Sequence, residues 1–217
     1  GNKRQMQEMR RSHYCGELRL ADAGKTARLT GWVMRRRDHG GVIFVDLRDR
    51  TGITQVVFDP MIDQMAHERA NQIRNEFVLC VSGKIRGRGE GATNPNLPTG
   101  EIEIAVDQLE ILNTAQTPPF LIEDDINVAE EVRLKHRYLD LRRPKMQKIL
   151  ITRHKAMLAC RNYMSERGFI EVETPILMNS TPEGARDVLV PSRLNHGKFY
   201  ALPQSPQQFK QILMMSG

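Results

Sequence analysis

The side chains with the clearest capacity to bind a ligand are three consecutive arginines and a nearby aromatic residue. Arg35, Arg36 and Arg37 end one β-rich run, and Phe44 lies in the next one. A guanidinium group can neutralise a phosphate, and an aromatic ring can stack on a splayed base for about 1–3 kcal/mol. The combination favours a nucleic-acid-binding face. Because Ile43 and Phe44 are neighbours, only one of them faces the core, and Phe44 could equally be that residue.

The distribution of charge also favours a polyanion contact near one end of the sequence. The 217 residues contain 32 Lys and Arg against 26 Asp and Glu, which gives a formal charge of +6. Residues 1–50 hold 12 basic and 6 acidic side chains, whereas residues 51–217 hold 20 of each. This asymmetry is typical of a polyanion-binding surface, although a basic tail with a solvated face would give the same count.

Several classes of protein are excluded by the composition. No run approaches the ~18–20 apolar residues of a membrane span, and no apolar stretch follows Gly1–Gln5, so we expect no secretory signal. Cys15, Cys80 and Cys160 are odd in number and widely separated. They predict neither a disulfide framework nor a metal site, and they favour a reducing, cytoplasmic location.

The first half of the chain predicts a small β-barrel. Its β-rich runs, separated by turns such as Asp38–Gly41, are Ala27–Arg37, Val42–Leu47, Ile53–Phe58, Phe77–Ile85 and Glu101–Leu112. The one helical stretch, Met61–Arg74, has an apolar stripe formed by Ile62, Met65, Ala66, Ala70 and Ile73. Three strands, a helix and two strands is the order of a five-stranded OB barrel, whose strand 2–3 face binds oligonucleotides. An OB-like barrel that binds protein or sugar is the alternative.

The second half of the chain is richer in helical patterns. Thr114–Asn127 has consecutive prolines and an acidic cluster, which predicts an inter-domain linker. Val128–Leu141 predicts a charged amphipathic helix, and Lys145–Arg167 predicts a long helix that Gly168 stops. The apolar stripe of the long helix comprises Ile149, Ala156, Cys160, Tyr163 and Met164, with Thr152 as its polar member. Phe169–Val172 predicts a strand.

The long helix and the segment that follows it resemble a motif of the class II aminoacyl-tRNA synthetases. A long helix followed by Gly168–Leu177, a strand that ends at Pro175, is similar to motif 1 of these enzymes. More specific blocks resemble the bacterial-type aspartyl-tRNA synthetases. They occur in the family's order and are Tyr14–Arg19, Arg137–Pro144, Ser180–Asp187, Val190–Arg193 and Phe199–Gln207, followed by Lys210.

The resemblance implies an α+β fold and an activity. Residues 1–10 would be a tail, 11–113 an OB-fold anticodon-binding domain, 114–144 a linker or hinge, and 145–217 the start of an antiparallel-sheet catalytic domain. Members of the family form aspartyl-adenylate from aspartate and ATP, with Mg²⁺, and transfer the aspartate to tRNA(Asp). The resemblance further implies a homodimer through motif 1, with Pro175 at the interface.

The resemblance also implies roles for individual residues. Ser205, Gln207 and Lys210 match the aspartate-binding segment, where an ammonium and an amide can orient a short carboxylate side chain. Glu183 lies in the loop Thr181–Asp187, which would close over the amino acid near its ammonium group. Seven positions match those that contact the anticodon: Arg35, Arg37, His39, Phe44, Gln55, Asn94 and Glu103, with Asn96 as plausible as Asn94.

His39 indicates relaxed tRNA specificity. Relatives that are strictly specific for tRNA(Asp) tend to carry leucine here, whereas histidine at this position and glycine near Gly91 resemble the non-discriminating branch, which also charges tRNA(Asn). The two tRNAs differ at the third anticodon base, C or U. A solvated turn histidine is the alternative, so dual specificity is a hypothesis at this point.

The 217 residues end before motifs 2 and 3 of the family that they resemble. Motif 2 carries the arginine that holds the ATP α-phosphate, and nothing in residues 1–217 replaces it. We therefore expect this chain alone to be catalytically inactive and to hold neither ATP nor a metal ion, while its barrel can still bind an anticodon arm. The alternatives are an asparaginyl- or lysyl-type synthetase, a stand-alone single-strand-binding OB module and a structural dimerisation module.

Overall fold

A closed five-stranded barrel dominates the first of two compact units. The computed structural model describes residues 10–181 and 186–217, and the chain divides into the units Gly1–Ile149 and Leu150–Gly217. The barrel strands are β1 (Thr26–His39), β2 (Val42–Arg48), β3 (Ile53–Phe58), β4 (Val78–Gly87) and β5 (Ile102–Asn113). They follow one another around the barrel in the order β1-β2-β3-β5-β4, with only β3 and β5 parallel. The predicted α+β class with a five-stranded OB fold is confirmed.

The barrel closes around side chains that alternate along each strand. Residues on the inner face are fully buried, among them Leu29, Val33, Ile43, Val45, Val56, Phe58, Ile102 and Ile104. A two-residue turn, Gly40-Gly41, joins β1 to β2 with φ values of 61° and 80°. Both angles lie in the left-handed region that only glycine adopts without strain, and this turn type matches the twist of the paired strands.

The helix between β3 and β4 is shorter than the sequence predicts. It comprises α1 (Gln64–Ala70), because the side chain of Asp63 accepts a hydrogen bond from the backbone N–H of Ala66 at 2.7 Å and fixes the start. Ala66, Ala70 and Ile73 of the predicted stripe are buried. Ile62 precedes the cap and Met65 is 69% exposed, so these two members of the stripe were predicted wrongly.

The N-terminal segment is anchored to the turn between β2 and β3 by the carboxylate of Asp49. Its oxygens accept hydrogen bonds from the backbone N–H of Cys15 at 2.8 Å and from the N–H and hydroxyl of Thr51 at 2.8 and 2.7 Å. Gly16 is required beside them, since a Cβ there would lie 2.3 Å from the carbonyl oxygen of Thr51. Burial acts to raise the pKa of Asp49, but these hydrogen bonds outweigh it and the pKa is lowered.

The segment after β5 folds back onto the barrel. In place of the single helix predicted over Val128–Leu141 there are two short ones, α2 (Glu130–Lys135) and α3 (Arg137–Asp140). The break is at His136, whose φ and ψ of −112° and 45° are not helical. Phe120 and Ile122, within the stretch that the sequence indicates as a linker, are buried against Leu139.

Glu76 connects this segment to the barrel. It is a buried non-glycine residue with φ of 66°, and its carboxylate accepts hydrogen bonds from Arg48 at 2.8 and 3.0 Å. Arg142 donates to the same carboxylate at 3.1 Å and places its guanidinium 4.5 Å from the ring centroid of Trp32. A carboxylate between two guanidiniums therefore holds the residues after α3 against β1 and β2.

The second unit contains a small sheet and two helices. α4 (Pro144–Ser165) ends two residues before the predicted Arg167, and a turn follows to Gly168, whose φ is 83° and whose N–H donates to the Ser165 carbonyl at 3.0 Å. The predicted stop at Gly168 is confirmed. β6 (Val188–Pro191) pairs with β7 (Phe199–Leu202), and α5 (Gln207–Met215) follows.

Two expectations for this unit are wrong. The strand predicted over Phe169–Val172 is absent, because no described segment lies beside these residues to complete a ladder of hydrogen bonds. The apolar stripe predicted on α4 forms no core among the described residues, since no residue of α4 is buried.

Acidification will reveal the contribution of Asp49 to stability. Its folded pKa lies below the unfolded value of about 3.9, so its stabilising effect is complete above that value and is lost as the pH falls through the folded pKa. Asp49→Asn should lower the free energy of unfolding at pH 7 and flatten its decline in acid. Urea denaturation between pH 7 and pH 3 measures both effects. The exposed Asp107→Asn is the control, and an identical acid profile for the Asp49 variant and the parent would contradict the assignment.

Removing the Glu76 carboxylate will destabilise the first unit. Glu76→Ala leaves Arg48 buried without its partner, which costs about 3–5 kcal/mol in comparable buried pairs. Glu76→Gln keeps an oxygen acceptor and should lose less. Urea unfolding measures the difference, with Glu101→Ala as an exposed control. A loss for Glu76→Ala no larger than the control's would show that the pair does not hold the unit together.

Candidate nucleic-acid interface

The outer face of the barrel is built by the register of β1, β2 and β3. Arg37 lies opposite Phe44, and Asp46 lies opposite both Arg35 and Gln55. A bulge between Val33 and Arg35 shifts the alternation of β1 so that both arginines share a face with Phe44.

The structure also decides between the two readings of Phe44. Ile43 is fully buried in the core, so Phe44 points outward and is half-buried on the outer face. A partly exposed ring on such a face is available for stacking.

A continuous chain of hydrogen bonds crosses this face. Arg37 Nη2 donates to Asp46 Oδ1 at 2.8 Å and to Gln55 Oε1 at 3.2 Å. Gln55 Nε2 then donates to Glu103 Oε2 at 2.8 Å, and Arg86 Nε donates to Glu103 Oε1 at 2.9 Å. Gln55 and Glu103 are each 7% exposed. The five side chains therefore hold one another in place without a ligand, and the remaining lone pairs and N–H groups of the chain can face one.

The other residues predicted to contact the anticodon lie nearer the edges of this outer face. Arg35 is exposed and forms an ion pair with Glu123, with 3.4 Å between Nη2 and Oε1. His39 is exposed at the end of β1, beside the Gly40-Gly41 turn. In the loop between β4 and β5, Oδ1 of Asn94 accepts a hydrogen bond from the backbone N–H of Asn96 at 3.0 Å. Asn94 thus shapes the loop, while Asn96 is exposed.

Two arginines on β4 and its continuation were missed by sequence reasoning. Arg86 ends the hydrogen-bond chain, and Arg88 donates from Nε to the Ile102 carbonyl at 3.0 Å while its buried Nη2 finds no partner among the described residues. Burial lowers the pKa of Arg88, against the opposing charges of Glu103 and Asp46. The sequence feature that could have indicated these arginines is the spacing of Lys84, Arg86 and Arg88, which are basic residues at every second position of a strand.

The predicted aspartate-binding residues lie at the start of α5. Gln207 and Lys210 are three residues apart and share a face of this helix, and Ser205 is exposed two residues before it. Glu183 lies outside the described residues. Four residues after it in the chain, Asp187 accepts hydrogen bonds from the Ser180 hydroxyl and the Thr181 N–H, both at 3.1 Å.

Three further features bear on earlier expectations. Pro175 is exposed, in a stretch without secondary structure. Within residues 10–181 and 186–217, no group of three His, Cys, Asp or Glu side chains could hold a metal ion, and no helix has the length and apolar character to cross a membrane. Cys15, Cys80 and Cys160 are all free thiols.

Two family models match the chain. Residues 27–112 match the OB-fold nucleic acid binding domain, and residues 129–217 match the class II tRNA synthetases of the D, K and N group. Over these residues the chain is similar to the class II aminoacyl-tRNA synthetases. Its resemblance to the bacterial-type aspartyl-tRNA synthetases is confirmed by curated relatives at about 60% identity.

These relatives match nearly all of the chain. A protein of Syntrophotalea carbinolica is 60% identical over 97% of this chain, and one of Desulfosudis oleivorans is 61% identical over 96% of it. Both are named Aspartate--tRNA(Asp/Asn) ligase. The matched residues make up 35% of each relative, so the chain spans about a third of the length of the curated relatives.

Solved structures of class II synthetases share the fold of the chain. The asparaginyl-tRNA synthetase of Pyrococcus horikoshii, complexed with asparaginyl-adenylate, has a TM-score of 0.77 and 28% identity, covering 94% of this chain and 45% of that one. A putative aspartyl-tRNA synthetase of Leishmania major has a TM-score of 0.80 and covers 94% of this chain and 40% of that one. At 20% identity this second likeness shows the fold alone.

Proposed function

We propose that the chain is the anticodon-recognition region and the first part of the aspartate site of an aspartate--tRNA(Asp/Asn) ligase. The whole enzyme would form aspartyl-adenylate from aspartate and ATP and transfer the aspartate to tRNA(Asp) and tRNA(Asn). The observation that carries the proposal is the hydrogen-bonded outer face around Phe44, together with the names of relatives at 60% and 61% identity.

On this proposal the outer face reads the anticodon. Phe44 stacks on a splayed base, as aromatic residues do in single-stranded RNA sites. Glu103 is held by Gln55 and Arg86, and the lone pairs left on its oxygens accept from a base amino or imino group. The free N–H groups of Arg37 donate to base or phosphate oxygens. Since the side chains are already positioned, little of the binding free energy is spent on ordering them.

The aspartate site is the second part of the proposal. Lys210 supplies a positive charge and Gln207 an amide donor from one face of α5, and the two can orient the carboxylate side chain of the amino acid. Ser205 and Glu183 retain the roles that the family resemblance implies. ATP and Mg²⁺ belong to the whole enzyme. Within residues 10–181 and 186–217, no group of three His, Cys, Asp or Glu side chains could hold the ion.

The assembly and location of the enzyme are also proposals. A homodimer through the motif 1 region would bury Pro175, and the three free cysteines suit a reducing cytoplasm. An asparaginyl-type enzyme is less well supported, because the solved asparaginyl-tRNA synthetase is 28% identical whereas the aspartate-type relatives are 60% and 61% identical.

Binding of an anticodon stem-loop tests the proposal. The 217-residue chain should bind a stem-loop with the anticodon GUC more tightly than one with all three bases changed. Phe44→Ala should raise the Kd by about 10–100-fold, since stacking on one base is worth about 1–3 kcal/mol. Fluorescence anisotropy measures the Kd, and Phe44→Tyr, which retains the ring, is the matched control. Equal affinity of the chain for unrelated single-stranded DNA would favour a non-specific OB module instead.

Dual specificity predicts a small difference between anticodons. Stem-loops carrying GUC and GUU should bind within about threefold of each other, which corresponds to less than ~0.7 kcal/mol. His39→Leu should shift the preference towards GUC while leaving stability unchanged, because His39 is exposed. Charging of purified tRNA(Asn) with labelled aspartate by the whole enzyme gives the decisive measurement, and no charging above background would refute the dual specificity.

A further inference from the structure

Arg36 is the one member of the arginine triplet to which the family resemblance gives no role. Arg35 and Arg37 share the outer face, and alternation turns Arg36 to the other side of β1. The pairing of β1 with β4 stops at Trp32, whereas its pairing with β2 continues to His39. Val33 still exchanges backbone hydrogen bonds with Glu76 and Phe77, but beyond it no strand among the described residues pairs with this edge of β1. Glu123, from the segment after β5, contacts Arg35 there.

A cleft of about 550 Å³ lies on the side to which Arg36 points. Arg36, Arg74 and Asn75 contribute polar groups to its lining, Phe120 and Leu121 are among the apolar residues, and no acidic side chain takes part. All of these residues belong to the first unit. The cleft thus combines two positive charges with apolar walls.

The guanidinium of Arg36 is only partly satisfied in this cleft. Its Nη2 lies 3.5 Å from the Asp38 carboxylate, which is itself half exposed. Its Nε is buried and finds no hydrogen-bond partner among the described residues. Arg74 is exposed and forms no ion pair within the described part of the chain. An unpaired buried N–H costs free energy, and a charged acceptor with two or more oxygens is the group that best satisfies a guanidinium.

We propose that this cleft binds a backbone phosphate of the same RNA whose bases contact the outer face. The inference rests on the proposed function. Phosphate matches the fork geometry of Arg36, and Arg74 adds a second charge. Arg35, Arg36 and Arg37 are consecutive at the end of β1, where no strand pairs on the β4 side, so an RNA whose bases contact the outer face can bring a neighbouring phosphate to Arg36. The phosphate would then accept from the buried Nε.

The salt dependence of RNA binding separates this contact from base recognition. Each phosphate contact contributes about 0.7–0.9 to the slope of log K against log salt concentration, and it carries no sequence information. Arg36→Gln and Arg74→Gln should each weaken binding of the GUC stem-loop by about tenfold and reduce the slope by about one contact. Both variants should retain the preference for GUC over the altered anticodon.

Control variants separate the effect of the cleft arginines on the salt dependence from the effects of other charges, base stacking and stability. Lys135→Gln removes an exposed charge of the same unit outside the cleft and should leave the slope unchanged. Phe44→Ala should lose the anticodon preference with the slope of the parent. Arg36→Gln also loses its contact with Asp38, so thermal unfolding is measured for each variant. The exposed Arg74→Gln provides the test should Arg36→Gln be less stable.

Each outcome of these measurements supports or overturns the phosphate contact or the proposed function. Unchanged slopes for Arg36→Gln and Arg74→Gln, with weaker binding by Phe44→Ala, would overturn the phosphate contact and leave the proposed function intact. Lower slopes for both cleft variants with no effect of Phe44→Ala would support the contact and refute the proposed anticodon face. A shift of the Arg36 Nε–H resonance by inorganic phosphate, without a change in RNA slope, would assign the cleft to a free anion and overturn the RNA contact. Failure of the parent chain to bind the stem-loop would refute both.

Discussion

The buried carboxylate of Glu76 is the contact on which the arrangement of the first unit depends. Two guanidiniums share it: Arg48 reaches it from β2 and Arg142 from the residues after α3. The backbone at Glu76 has a φ of 66°, which costs about 1–2 kcal/mol for a residue with a side chain. Once the three groups are buried together, removal of either guanidinium would leave a buried charge without that partner, which is costly. The same contact places Arg142 over Trp32 and so joins the barrel to the chain that follows it.

The barrel presents a charged but internally satisfied surface. Alternation along β2 sends Ile43 inward and Phe44 outward, and the bulge in β1 brings Arg37 to the same face. The carboxylate of Glu103, on the proposed nucleic-acid interface, is held in place because Gln55 and Arg86 each donate to one of its oxygens. Preorganisation of this kind lowers the conformational entropy that a ligand must remove from these side chains when it binds.

Much of this architecture could be predicted from the sequence, and the failures have physical causes. The order of the barrel strands and the helix along the chain, and the stop at Gly168, follow from alternation and glycine chemistry, which are local. The strand predicted over Phe169–Val172 failed because a strand requires a neighbour, which a local pattern does not contain. The single helix predicted over Val128–Leu141 is interrupted at His136, whose backbone is not helical, and helix propensity does not reveal that break.

The sequence by itself indicated the family, the five-stranded barrel and the residue types on the proposed RNA-binding face. The barrel strands follow from short-range periodicity, which a single chain displays directly, whereas the family follows from the resemblance of ordered sequence blocks. Tertiary structure alone decided that Phe44 faces outward, that Arg86 completes the chain of hydrogen bonds through Glu103, and that Arg36 turns away into a separate cleft. Register, bulges and the pairing of distant strands set those directions, and they arise only when segments far apart in the sequence meet.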